Sequence, residues 1–76
     1  MALVAKLVHQ VLEKDSVHMK VDCTYSIIVD NKGQKYLQLD TYGSAGRKIP
    51  GKKSQSIRLS PEAITQLLNI IKEIRP

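Results

Sequence analysis

Phenylalanine and tryptophan are missing from this chain, and cysteine occurs once in 76 residues. The single thiol, Cys23, excludes an intrachain disulfide and fits a reducing compartment. Unbroken apolar runs extend only a few residues, too short to cross a bilayer as a helix. Residues 1–6 lack the charged start, apolar core and cleavage site of a secretory signal, so the expected location is the cytoplasm. Carboxylates are absent between Thr41 and Pro61, where five cations stand: Arg47, Lys48, Lys52, Lys53 and Arg58.

The remaining composition bounds the architecture. A hydrophobic fraction of 42% is too high for disorder, so residues 1–76 are read as one folded domain. A chain of this length buries only about 60–65% of its unfolded surface, which leaves a marginal core. Dimerisation is an ordinary way to enlarge such a core. The net charge of +5 permits acidic partners without naming one, and its clustering is more informative than its sum.

Leu3, Val4, Leu7, Val8, Val11 and Leu12 form apolar pairs repeating every four positions, which predicts a helix over residues 3–13. No capping residue precedes it. Val17, Met19, Val21, Cys23, Tyr25, Ile27 and Val29 then occupy every odd position, with mostly polar residues between them. This alternation predicts a long strand with odd residues buried and even residues wet, broken only at Ile28.

Asp30, Asn31, Lys32 and Gly33 read as a hairpin turn. The returning strand, residues 35–42, places Leu37 and Leu39 on one face and Tyr36, Gln38, Asp40 and Tyr42 on the other. Residues 43–53 form a glycine-rich connection, and residues 55–59 a third strand with Ile57 and Leu59 inward and Arg58 outward. Ser60, Pro61 and Glu62 open a final helix with a hydroxyl cap, a first-turn proline and a carboxylate at the positive end of the dipole. Its buried stripe is Ile64, Leu67, Leu68, Ile71 and Ile74, with Ile70 outside it. The expected fold is α+β in α-β-β-β-α order, an antiparallel three-stranded meander with helices over one face.

The residues give little to a catalyst. No acid, base and nucleophile converge, so an enzyme is not expected, and no cofactor or small-molecule substrate is implied. His9, His18 and Cys23 match no zinc-site spacing, so no metal is expected. Residues 46–52 approximate a phosphate-binding loop, but Lys53 stands where a hydroxyl should hold magnesium and a strand follows in place of a helix. A glycine-rich backbone with adjacent lysines can nonetheless approach phosphates closely.

From Tyr25 to Ile74 the order of features resembles the family of the transcriptional coactivator positive cofactor 4. The matching pieces are Asp30, Lys32 and Gly33; Tyr42; Pro50, Gly51, Lys52 and Lys53; then Ile57, Leu59, Ser60, Pro61 and Glu62. The resemblance implies a dimer formed through the C-terminal helix and binding of single-stranded or melted DNA across the sheets. Asn31, Asp40 and Gly43 stand where members often carry an aromatic, an arginine and a tryptophan, which removes two stacking groups and reverses one charge. The N-terminal helix also departs from the family's leading strand.

Together these features predict a non-enzymatic nucleic-acid-binding protein, connected by the resemblance to transcription and favouring single-stranded DNA. Lys32, Arg47, Lys48, Lys52, Lys53 and Arg58 would neutralise phosphates, while Tyr36 and Tyr42 would stack on bases. Ile64, Leu68, Ile70 and Ile71 would form the dimer interface. Two alternatives remain: a double-stranded RNA binder, from the α-β-β-β-α order, and a protein-interaction module using Ile28 and Ile70.

Overall fold

A computed structural model describes residues 1–43 and 53–75. Four strands, β1 (Ala2–Val4), β2 (Cys23–Val29), β3 (Lys35–Tyr42) and β4 (Lys53–Leu59), precede one helix, α1 (Pro61–Ile74). The sheet order is β1-β4-β3-β2. Strands β2, β3 and β4 form the expected antiparallel meander, while β1 adds to β4 in parallel. The fold is α+β, with a four-stranded mixed sheet.

The N-terminal helix expected over residues 3–13 is absent. Ala2, Leu3 and Val4 pair with Ile57, Arg58 and Leu59, and residues 5–22 carry no regular element. The physical reason is non-local. An uncapped, valine-bearing segment meets the open edge of β4, whose backbone groups need partners. The Ser60 N–H donates to the Val4 carbonyl at 2.9 Å. The Gln66 side chain then brackets Leu7, accepting from its N–H at 2.9 Å and donating to its carbonyl at 3.1 Å.

The alternation over residues 17–29 yields a strand only from Cys23, at the end where β3 closes with Thr41 and Tyr42. Cys23 pairs with Thr41, and the Tyr42 N–H still reaches the Asp22 carbonyl at 2.9 Å. The turn forms as read. Gly33 has φ 82°, and its N–H donates to the Asp30 carbonyl at 3.1 Å. The Asp30 carboxylate accepts from the Lys32 and Gln34 N–H groups at 2.9 Å each, which locks the corner as an Asx turn.

Helix α1 starts where its cap predicts. The Ser60 hydroxyl accepts from the Ala63 N–H at 3.2 Å, with Pro61 in the first turn. Only Ala63 is buried on it, and every residue from Leu68 to Arg75 is exposed. The odd face of β2, expected to be buried, is open: Tyr25 is 72% and Ile27 66% exposed. Among the described residues the buried apolar side chains are Leu59 and Ala63, while the buried polar ones are Gln38, Asp40 and Ser60. The interior of this chain is thus more polar than its alternation implies.

Candidate nucleic-acid interface

The even-numbered face of the sheet gathers most of the predicted binding residues that the structure describes. Register sets Gln38 opposite Arg58 and Asp40 opposite Ser56, with Ser26 and Thr24 flanking them on β2. Tyr36 and Tyr42 lie on the same face at the two ends of β3. Lys53 joins this face through a register shift between Thr41 and Tyr42, which pairs Tyr42 with Lys53. In unbroken register, odd residues of β4 would all point to the opposite side; the bulge moves Lys53 across.

A continuous hydrogen-bonded chain crosses this face. Asp40 is 3% exposed. Its carboxylate accepts from the Ser56 hydroxyl and from the Gln38 amide at 3.1 and 3.2 Å, and Lys53 Nζ lies 3.4 Å from Oδ2. The Gln38 carbonyl in turn accepts from Arg58 Nε at 3.0 Å and from Nη2. Buried polar atoms are tolerated only when paired, and among the described residues no buried side-chain nitrogen or oxygen lacks a partner. The Ser56 hydroxyl, followed by the Gln38 amide and Lys53, holds the Asp40 carboxyl below its ordinary range despite burial, which acts in the opposite direction.

The tyrosines are anchored at their hydroxyls. Tyr36 donates toward Asp30 Oδ2 and Gln34 Oε1, both at 3.2 Å, and Tyr42 shares a 3.1 Å bond with the Thr24 hydroxyl. Desolvation, reinforced by the neighbouring Asp30, raises the Tyr36 phenol above its ordinary pKa. Asp30 is lowered, chiefly by the Gln34 N–H. Leu3, Asp30, Tyr36 and Arg58, with Met1, line an open groove of about 350 Å³ beside the first tyrosine. It offers an aromatic ring, a cation and a carboxylate acceptor in one place.

Of the predicted phosphate-binding residues, the structure brings Lys53 and Arg58 onto the face with Tyr36 and Tyr42. Lys32 is exposed at the β2–β3 turn, at the opposite end of β3 from Tyr42 and Lys53. Arg47, Lys48 and Lys52 lie outside the described residues. The expected dimer residues are spread along α1, with Ile64 half-buried and Leu68, Ile70 and Ile71 exposed. Sequence reasoning missed that Gln38 and Asp40 are buried and tie this face together. The available signal was an Asp two residues from a Gln on one strand, facing a Ser and an Arg on the next.

Among the described residues no three His, Cys, Asp or Glu side chains gather where a metal ion could sit. No helix there is long and apolar enough to cross a membrane. No family model, curated protein or solved structure matches the chain.

Proposed function

We propose that this protein is a non-enzymatic nucleic-acid-binding module that holds single-stranded DNA, or strands of a melted duplex, across the even face of its sheet. The observation that carries the reading is the joint placement of Tyr36, Tyr42, Lys53 and Arg58 on one face. The cation-rich connection 43–53 joins the strands that bear them. Bases stack on aromatic faces while lysine and arginine track phosphates, an arrangement that tolerates many sequences. Arg58 is pre-oriented by Gln38, so little side-chain freedom is lost when a phosphate arrives.

Further support comes from the N-terminus. A leading strand in place of the predicted helix accords with the element order of the coactivator family that the sequence resembles, and a role in transcription belongs to this proposal. The double-stranded RNA reading drew on an α-β-β-β-α order, and among the described residues the only helix is α1. The test is a competition in which unlabelled single-stranded DNA, duplex DNA and duplex RNA displace a labelled single strand. The proposal expects the single strand to compete best, and preferential displacement by duplex RNA contradicts it.

A further inference from the structure

One corner of the polar face is apolar. Leu3 on β1 pairs with Arg58, so its side chain lies on the even face, where it is 62% exposed. Ile28, the one break in the alternation of β2, stands opposite Tyr36 on that same face. Leu3 and Tyr36 line the groove of about 350 Å³ together with Met1, Asp30 and Arg58. Phosphate contacts give a reason for the cation here, but none for an apolar wall beside a carboxylate.

We infer that this groove is a nucleobase pocket that takes an unstacked guanine in preference to the other bases. The inference rests on the single-strand reading above and names the base that the sheet selects at one position. Each polar group in the groove is held in place before a ligand arrives. Asp30 Oδ1 accepts from the Lys32 and Gln34 N–H groups, while Oδ2 faces the Tyr36 hydroxyl. That hydroxyl divides a single proton between Asp30 and Gln34, so Oδ2 keeps acceptor capacity. Arg58 turns Nε and Nη2 to Gln38, which leaves Nη1 to donate elsewhere.

Complementarity then chooses the base. The Tyr36 ring offers a stacking surface, and Leu3 and Met1 supply the apolar wall. An ionised carboxylate only accepts, and Asp30 is held below its ordinary pKa range, chiefly by the Gln34 N–H. Guanine turns two neighbouring donors, N1–H and the 2-amino group, toward such an acceptor. Its O6 and N7 accept from arginine. Adenine N1 and cytosine N3 would instead aim a lone pair at the carboxylate, and thymine has one N–H between two carbonyl oxygens. Guanine is the base that satisfies both charged walls.

The test is anisotropy at low salt with a short labelled oligothymidine in which every third residue is deoxyguanosine, deoxyinosine, deoxyadenosine or deoxycytidine. That spacing offers the test base to the groove in any register. Wild type should bind the guanine strand roughly 10-fold more tightly than the adenine or cytosine strands. The inosine strand, which lacks the 2-amino group, should fall between. Asp30→Asn keeps an oxygen for the turn N–H groups and places an amide NH₂ where Oδ2 stood, so the guanine-to-adenine affinity ratio should fall to within about two-fold of unity. Wild-type affinities equal within two-fold across the four strands overturn the inference and leave the single-strand reading standing. A guanine preference unaltered by Asp30→Asn also overturns it. Absence of binding to every strand removes the inference together with the reading beneath it.

Discussion

Lys53 reaches Asp40 across a β-bulge: its Nζ lies 3.4 Å from Oδ2, a contact created by the register shift between Thr41 and Tyr42. The buried carboxylate is the centre of the polar face. It joins Lys53 and Ser56 on β4 to Gln38 on β3, and through Gln38 to Arg58. Asp40 thereby holds Lys53 directly and Arg58 through Gln38, at the cost of one unit of positive charge on the proposed binding face.

Acid should unfold the protein in a way that Asp40 and Asp30 govern. Both carboxyls are held below their ordinary pKa in the folded state. Their contribution is fully present above about pH 4, the unfolded value, and is lost as pH falls through the lower folded values. Melting temperatures recorded from pH 7 to pH 2.5 should fall most steeply in that window. Asp40→Asn should melt lower at pH 7 and show a shallower decline in acid. An equally steep decline for Asp40→Asn would show that Asp40 is not among the groups responsible.

Replacing Ser60 by Ala removes the hydroxyl that caps α1 and donates to the Ala5 carbonyl. Loss of an N-cap costs about 1 kcal/mol. Urea unfolding at fixed protein concentration should therefore show a lower midpoint with an unchanged slope. Ser60→Asp, which retains an acceptor near the helix N-terminus, should recover most of the loss.

Gly33→Ala isolates backbone strain. No atom lies within 4 Å of the added methyl group, and φ is 82°, so the cost arises from the left-handed conformation alone. That cost is about 1–2 kcal/mol for an L residue. Gly33→Asn should cost less, because asparagine visits this region more readily. Equal stability of all three proteins would show that the turn relaxes.

On the proposed interface, Lys52→Ala combined with Lys53→Ala should weaken single-stranded DNA binding and flatten the dependence of log affinity on log salt by about 1–2 units. Lys53→Ala leaves Asp40 its bonds from Ser56 and Gln38, so the circular dichroism spectrum should be preserved. Unchanged affinity and slope in the double variant would remove these lysines from the binding surface.

The features legible in the sequence were the local ones. Asp30 and Gly33 specify a turn through their own backbone preferences, and Ser60 and Pro61 specify a helix start within four residues. The meander followed from alternation on β2 and β3. The N-terminal strand was not legible, because Ala2–Val4 is extended only by pairing with Ile57–Leu59, more than fifty residues away, while its own spacing favours a helix.

Burial was misread for a related reason. Alternation separates two faces but does not say which one is covered. Gln38 and Asp40 are buried by their cross-strand neighbours, whereas Tyr25 and Ile27 are open. The candidate site was legible as a set of residue types, Tyr36, Tyr42, Lys53 and Arg58, and their convergence depended on a bulge that no local pattern announces.

Fluorescence anisotropy of a labelled oligothymidine, titrated with the protein at low and physiological salt, tests the central claim most directly. The account predicts saturable binding that weakens steeply as salt rises, with competition by other single strands of unrelated sequence. Absence of binding even at low salt would contradict it and leave the polar face of the sheet without a nucleic-acid role.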